Sequence, residues 1–350
     1  MFKFEYIGNL HIHSLYSDGH LSIAEIAAKA AEAGVNFICL NDHDYMLDDL
    51  HLDEEGFYNG YLAVLIGLEH GRSDHHYLAY NLPGLIPSDL APQEKIDRVN
   101  QQGGFGFLAH PFEKGMPFVE QGKAFPWKNL AVSGFQGICI WNFSSCFKER
   151  IRSVFHALFF LSFKTQTLKG PSRETLAFWD QLCQERKVAA VGGTDIHGAH
   201  LKWGFLNFRP LTYDYLLRTI NVHIFLNKWM PIEFPEAKEL IYGALKAGRL
   251  FVANDGLAPA KGFRFDFISN DGSDLFMGEE GAFQYGDLVI EVPSLGEIRL
   301  IKDGVLEKKW RGREAVYRVK EKGVYRIEVY KWFSLFGWRP WIFSNPIYLR

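Results

Sequence analysis

The chain has 350 residues, 47% of them hydrophobic and 23% charged, with a net charge of −3. That length accommodates one large domain plus a smaller one, and the apolar fraction supplies an ample core. Lys and Arg are scattered, the longest basic clusters being Lys308-Lys309 and Arg311-Gly312-Arg313, which argues against a protein that tracks a nucleic-acid backbone. The four cysteines (Cys39, Cys139, Cys146, Cys183) match no CxxC motif and no disulfide framework. They read as buried free thiols, which suits a reducing cytosol. The N-terminus lacks the apolar run of a signal peptide. Val154–Phe163 is the most membrane-like stretch. It is about one-third to one-half of a span, is interrupted by His156, and reads as a helix of the fold. A cytoplasmic location and no membrane partner are the expectations.

Tyr6–His13 alternates like a strand, which points His11 and His13 one way and Leu10 and Ile12 the other. Ser22-x-x-Glu25 is a capping box ahead of Ile23, Ile26, Ala27 and Ala30, and Gly34 stops that helix. Phe37–Leu40 reads as a buried strand delivering Asp42 and His43. Leu62–Leu68 reads as a strand ending at Glu69, and Tyr77–Tyr80 as a short strand entered by His76. Gln93–Gln102 is a helix stopped by Gly103-Gly104, and Phe105–Ala109 is the strand before His110. Phe135–Trp141 is a strand, followed by a Phe-rich helix over roughly Ser145–Thr167 and another from Pro171-Ser172 to about Arg186. Val188–Val191 is the strand that Gly192-Gly193-Thr194 connects to Asp195. Alternating strands and helices with buried strands predict a parallel sheet, and six or seven such units suit a closed βα barrel. Asn221–Phe234 fits no element. Pro235–Ala247 is a last helix, closed by Gly248.

Beyond Asn254-Asp255-Gly256 the texture changes to short alternating strands: Gly262–Ile268, Leu288–Val292, Glu297–Ile301, Val305–Trp310, Ala315–Val319 and Val324–Tyr330. Asp303-Gly304 is a hairpin signal. These strands predict a small β-sandwich. The expected domains are therefore 1–255, a barrel, and 256–350, a β domain of unassigned role.

The predicted strands carry His11, His13, His43, Glu69, His110, Asp195 and His197 to their carboxyl ends, where a βα barrel gathers its functional groups. One histidine after a strand is an ordinary structural residue. Seven imidazoles and carboxylates at equivalent positions, without a cation, would cost several kcal/mol of desolvation. Imidazole and carboxylate together are the ligand set for divalent zinc, manganese or iron. Asp42 and Asp44 flank His43, either orienting a ligand from behind or capping a helix. Asn142 ends a strand and can reach the cleft. Arg72, Lys114, Arg150 and Lys202 lie near strand ends and are candidates to pair with a substrate phosphate. His20, His51, His156, His200 and His223 read as surface or core residues.

Five motifs now form a pattern: His11-Ile12-His13-Ser14-x-x-Ser17-Asp18-Gly19, Asn41-Asp42-His43-Asp44, Gly67-Leu68-Glu69, Ala109-His110-Pro111, and Gly193-Thr194-Asp195-Ile196-His197-Gly198. In order and spacing the chain resembles the polymerase and histidinol phosphatase (PHP) superfamily over about residues 6–255. The C-terminal end, Ser344-Asn345-Pro346-Ile347-Tyr348-Leu349, is similar to members with an appended β domain. The resemblance implies a distorted (βα)7 TIM-like barrel holding two or three divalent ions of Zn, Mn or Fe. It implies a first metal among His11, His13, Glu69 and Asp195. A second lies among Glu69, His76 and His110, with Glu69 bridging, and a third among Asp18, His43 and His197. His76 is preferred because it directly enters the following strand; His75 and His70 stay open as alternatives.

The function this implies is metal-dependent hydrolysis by a metal-bound hydroxide, first of a small phosphoester. No side-chain nucleophile is assigned, since Gly-x-Ser-x-Gly and Gly-rich phosphate loops are absent. A carboxylester or carbamate hydrolase with the same metals is the alternative, and an inactive metal-binding module the third reading. The expected partner is a small-molecule substrate, with no polymeric nucleic acid; an oligomer is left open.

Overall fold

The computed structural model describes residues 4–118, 123–203 and 206–350, with backbone only over 199–210. β1 (Phe4–Ile12) leads through α1 (Ile23–Ala33) to β2 (Phe37–His43). Ser22 caps α1 by accepting from the Glu25 amide while the Glu25 carboxylate accepts from the Ser22 amide, and Gly34 ends it at φ 80°. That left-handed angle is one glycine adopts without strain. Ile23, Ile26, Ala27 and Ala30 form its buried stripe, as the periodicity predicts. β3 (Gly56–Tyr58) turns back on β4 (Leu62–His70), which is buried throughout. β5 (Tyr77–Tyr80), α2 (Pro92–Gln101), β6 (Phe105–Leu108) and β7 (Gly137–Asn142) follow.

The expected long helix over 145–167 is three pieces: α3 (Phe143–Lys148), α4 (Val154–Ser162) and α5 (Lys164–Thr167). The break has a local cause. Ser153 takes an extended conformation and caps a new helix by accepting from the His156 amide. α6 (Arg173–Glu185) then leads to β8 (Ala189–Gly193), a hairpin of β9 (Ala199–Trp203) and β10 (Leu206–Leu211), and α7 (Tyr213–Leu216). The unplaced stretch after residue 220 contains β11 (Ile220–Leu226), and α8 (Phe234–Ala247) precedes β12 (Leu250–Asn254).

The fold is mixed α/β. One ladder runs β12–β11–β1–β2–β4–β5–β6–β7–β8. It is not uniformly parallel, as the sequence had suggested. β5 runs antiparallel to both β4 and β6, because the few residues between β4 and β5 are too short for a parallel crossover. β11, fully buried, adds to β1 antiparallel. No full ladder joins β8 to β1. They meet through one parallel bridge, Ile12 with Ile196. Beside it the Thr194 amide donates to the Leu10 carbonyl (3.1 Å) and the His13 amide to the Ile196 carbonyl (3.0 Å).

The C-terminal region contains β13 (Arg264–Ser269), β14 (Leu275–Phe276), β15 (Glu280–Gly281), β16 (Gly286–Lys302), β17 (Val305–Val319), β18 (Gly323–Phe333), β19 (Gly337–Ser344) and β20 (Ile347–Leu349). Two pairs of expected short strands are each one long strand, β16 and β17, joined at Asp303-Gly304. β16 shifts register against β17 between Glu291 and Gly296. Its first half pairs with β13 and its second with β18. The bend wraps the strands around a second core that includes Phe265, Ile290, Leu300, Ile327 and Trp341.

The two regions are stitched together. β19 pairs with β12. The Asn345 amide donates to the Ala190 and Leu250 carbonyls (2.9 and 3.0 Å) and accepts from the Ala190 amide (2.7 Å). At the seam, buried His223 on β11 lies between Glu5 (2.8 Å) and Asp255 (2.9 Å). Burial alone would lower the His223 pKa; Asp255 and Glu5 outweigh it and hold it at about 9. Below its ordinary value of 6.5 the imidazole is protonated both folded and unfolded, and the ion pairs contribute in full. Between 6.5 and about 9 only the folded state keeps the proton, so stability is lost as pH rises. Urea unfolding is expected to show this decline, and His223→Gln to flatten it. An unchanged slope in the variant would place the pH dependence elsewhere.

Candidate metal centre

The site is organised around Glu69, the penultimate residue of β4, whose side chain is 1% exposed. Five imidazoles converge on its two oxygens. Oε2 lies 3.0 Å from His11 Nε2, 3.4 Å from His13 Nε2 and 3.3 Å from His43 Nδ1. Oε1 lies 2.8 Å from His76 Nδ1 and 3.2 Å from His110 Nε2. Register explains part of this: β2 and β4 pair in parallel with His43 opposite Glu69, and His76 sits just before β5, the other neighbour of β4.

Asp195 faces Glu69 across His11 and His13, with Oδ1 3.4 Å from the Nε2 of each. Asp18 lies outward, 3.3 Å from His197, 3.5 Å from His13 and 3.6 Å from His43. Among the described residues, three groups bring their potential ligand atoms within 4.8 Å of one another: His11, His13, Glu69 and Asp195; Glu69, His76 and His110; and His13, Asp18, His43 and His197. The groups share Glu69 and His13. The first two are buried, whereas the Asp18 and His197 side chains are 41% and 28% exposed.

These positions require an irregular backbone. His11, His110 and Asp195 all have positive φ (65°, 26° and 56°), a region in which ordinary L-residues are uncommon and which costs of order 1–3 kcal/mol each. The β1–β2 register shifts between Leu10 and Ile12. The regular alternation expected for His11 and His13 is therefore broken at His11. The bulge re-aims that ring to a position 5.1 Å from the His13 ring, as bulges beside active sites do.

The donor set suits a divalent cation. Both ring nitrogens of His11 and His13, Nδ1 of His43 and His110, and Nε2 of His76 are buried without a well-aligned hydrogen-bond partner. Orphaned buried polar atoms are costly, and a cation shared by imidazoles and carboxylates removes that cost. Burial alone would raise the Glu69 pKa, but His11, His76 and His43 outweigh it and hold the group well below the carboxylate range. The same balance, with His11 foremost, keeps Asp195 ionised. Burial lowers the pKa of His11 and takes that of His43 down to about 3.

His75 and His70 stand outside the three groups. His75 Nε2 accepts from the amides of Lys128 and Asn129. His70 Nε2 is 2.8 Å from the Pro87 carbonyl oxygen and 3.4 Å from Asp44. Asp44 also accepts from the Gly71 amide. Asp42 accepts from the Ser14 amide and hydroxyl, both at 2.7 Å, and from the Ser17 hydroxyl; it pins the loop that carries Asp18. Asn142 both donates to Asp195 (3.3 Å) and caps α3 by accepting from the Ser145 amide (2.9 Å).

A cleft of about 380 Å³ opens over the cluster, lined by Arg72, Lys123, Lys148, Tyr45, Phe125 and Phe147 among others. Lys114 instead pairs with Glu174 on the surface (3.1 Å), and Arg150 donates to the Thr167 carbonyl and stacks on Phe160. Lys202 lies in the backbone-only segment. Sequence reasoning missed Lys123, Lys148 and Glu113. Glu113 lies 3.6 Å from His110 Nδ1 and accepts from the Phe125 amide and the Ser145 hydroxyl. Its spacing three residues after His110 was the available signal, and a turn places it there: the Glu113 amide donates to the His110 carbonyl.

Seven of the nine clustered side chains fall within residues 9–114, and that segment matches the PHP domain family model. Residues 9–114 of the chain thus carry a match to the PHP domain, and a β region follows further along the chain. An uncharacterized protein of Methanocaldococcus jannaschii is 25% identical over 115 residues, 30% of this chain and 67% of that protein. Two solved structures are similar at low identity. One, from Bacteroides vulgatus, is described as a two-domain protein containing a predicted PHP-like metal-dependent phosphoesterase. It is 14% identical, covers 98% of this chain and 95% of its own, and has a TM-score of 0.46. The other, an inferred metal-dependent phosphoesterase from Bifidobacterium adolescentis, is 15% identical, covers 60% of this chain and 94% of its own, and has a TM-score of 0.32.

The approach of β8 to β1 can be probed at Gly193. A Cβ there would stand 2.6 Å from the Leu10 carbonyl oxygen and 2.9 Å from the His11 Cβ. Gly193→Ala is expected to destabilise the fold by about 1–3 kcal/mol, read as a lower urea midpoint. Wild-type stability would mean that β1 yields at no cost.

Proposed function

We propose that this protein is a metal-dependent phosphoesterase acting on a small phosphorylated substrate. The observation that carries the reading is the three-way sharing of ligand atoms around Glu69 and His13, an arrangement suited to two or three divalent ions (Zn, Mn or Fe) held side by side. On this reading residues 1–255 form a distorted seven-stranded barrel of β1, β2, β4, β5, β6, β7 and β8. The Ile12–Ile196 bridge supports closure between β8 and β1, and on the same reading 256–350 are the appended β domain.

Such ions, when bound, supply Lewis acidity toward phosphoryl oxygens and acidify a water. The chain's own residues do the remainder. Glu69, Asp195 and the inner imidazoles would hold the ions and exclude bulk water from the cleft floor. Asp18 and His197, more exposed, would hold the outermost ion at the mouth. Arg72, Lys123 and Lys148 line the same cleft and would bind the phosphate of the substrate through charge-assisted hydrogen bonds. These cations favour a phosphoester over a carboxylester or carbamate, neither of which brings an anionic group to neutralise. The cleft volume fits a small molecule.

Chelation is expected to abolish hydrolysis of aryl phosphates, and Mn²⁺ or Zn²⁺ to restore it. Chelator-sensitive cleavage of carboxylesters with no phosphoester turnover would overturn the assignment. Metal analysis tests the ligand sets separately. Glu69→Ala, which removes a shared member of two groups, is expected to lose more metal than Asp18→Ala, and Asp195→Ala to lose metal and activity together. Full metal content in the Asp195 variant would remove it from the ligand set.

A further inference from the structure

We propose that Asn9 and Asn221 are positioning residues for Asp195, acting through the Thr194 hydroxyl from an anchor at the start of the C-terminal β region. The inference rests on the reading of Asp195 as a metal ligand. Asn9, on β1, and Asn221, on β11, are 0% and 2% exposed, and asparagine so deeply buried is uncommon. Both belong to one hydrogen-bonded relay. The Asp255 carboxylate accepts from Asn221 Nδ2 (3.0 Å), Asn221 Oδ1 accepts from Asn9 Nδ2 (2.8 Å), and Asn9 Oδ1 accepts from the Thr194 hydroxyl (2.7 Å). Thr194 directly precedes Asp195.

The relay has one direction. Asp255 pairs with His223 Nε2 at 2.9 Å. Burial alone would raise the Asp255 pKa, but His223 outweighs it and keeps the group below its ordinary value of 3.8. An ionised carboxylate only accepts, so Asn221 turns its amide nitrogen to Asp255 and its oxygen to Asn9. Asn9 then gives its nitrogen to Asn221 and to the Ile220 carbonyl (3.2 Å), which leaves its oxygen for the Thr194 hydroxyl. A satisfied buried network of this kind specifies one arrangement. Thr194 is held at its other polar groups as well. Its amide donates to the Leu10 carbonyl (3.1 Å), and its carbonyl accepts from the Ser144 amide (3.3 Å) and hydroxyl (3.2 Å). Asp195 starts from the peptide so fixed and takes φ 56°, a conformation that persists only where its surroundings over-determine it. A valine at 194 would fill the same volume and direct nothing. The anchor belongs to the junction with the β region: the Ala260 amide donates to Asp255 Oδ1 and the Gly262 amide to Glu5 Oε2 (both 2.9 Å), and Glu5 pairs with His223 in turn. The first loop of that region is thus connected by side chains to the residue before Asp195.

The test measures Zn²⁺ binding to the full-length protein by competition with a chromogenic chelator, beside the urea midpoint of the metal-free protein. Thr194→Val keeps the shape of the side chain and removes the hydroxyl, Thr194→Ser keeps the hydroxyl, and Asn221→Leu removes the link to the anchor. Thr194→Val and Asn221→Leu are expected to weaken Zn²⁺ binding by roughly 10- to 100-fold, and Thr194→Ser to bind as wild type does. Ile327→Val, in the second core and off the relay, is expected to lower the midpoint and leave Zn²⁺ affinity unchanged. Wild-type affinity in Thr194→Val, or an equal loss of affinity in Ile327→Val, overturns the proposal, the second outcome by reducing the effect to general stability. If Asn221→Leu does not fold, the Thr194 pair decides alone, since the relay acts only through that hydroxyl. A wild-type protein that binds no Zn²⁺ overturns the metal reading and this proposal together. A wild-type protein that binds Zn²⁺, loses it in Thr194→Val and keeps it in Thr194→Ser, yet hydrolyses no phosphoester, overturns the phosphoesterase reading alone.

Discussion

The structure depends on one buried carboxylate surrounded by imidazoles. Glu69 is almost fully enclosed, and five histidines from four separate chain segments approach within 3.4 Å of its oxygens. A carboxylate so buried is costly to ionise unless positive charge or donors surround it. The neighbours that satisfy it are themselves short of partners. Carboxylate and imidazoles therefore need each other, and as a group they need a cation. That mutual requirement explains why so many polar side chains occupy the end of an otherwise apolar sheet.

Holding that group together constrains the backbone. His11, His110 and Asp195 sit in left-handed conformations, and β1 shifts its register at His11. Strain of this kind persists only where surrounding packing over-determines it. Here the support is specific. Thr194 and Ile196 hydrogen-bond to β1 on either side of the bulge, and the absence of a side chain at Gly193 lets β8 approach His11. Asp42 fixes the loop that carries Asp18. The outward gradient of exposure, from Glu69 to Asp18 and His197, turns one polar cluster into a buried floor and an accessible mouth.

The appended β region is part of the same framework. β12 pairs antiparallel with β19, Asn345 ties the last turn to β8, and the Glu5–His223–Asp255 triplet lies at the seam. Arg326 reaches back from β18 to Asp180 on α6 with paired contacts of 2.7 and 2.8 Å. Buried charge networks like these demand their partners in place, because a lone buried ion is far more costly than a pair. They bind the two cores into a common orientation.

Much of this was legible in the sequence, because the relevant signals are local. Capping residues and Gly34 marked α1, apolar runs marked β2 and β4, and the histidine and carboxylate motifs were visible as strand-end punctuation. What the sequence by itself determined was the chemistry: a set of hard and borderline metal donors in an α/β chain with an ample apolar fraction. Only the tertiary structure decided which donors meet. His76 rather than His75 or His70 faces Glu69, because strand pairing sets its direction and hydrogen bonds with Lys128, Asn129 and Pro87 engage the other two. β11 escaped notice because it pairs with a strand more than 200 residues earlier, and no local pattern records that distance. The reversal of β5, the bend in β16 and the cations of the cleft have the same origin. Each is a contact between segments remote in sequence, selected by packing and pairing energies that no short window of residues contains.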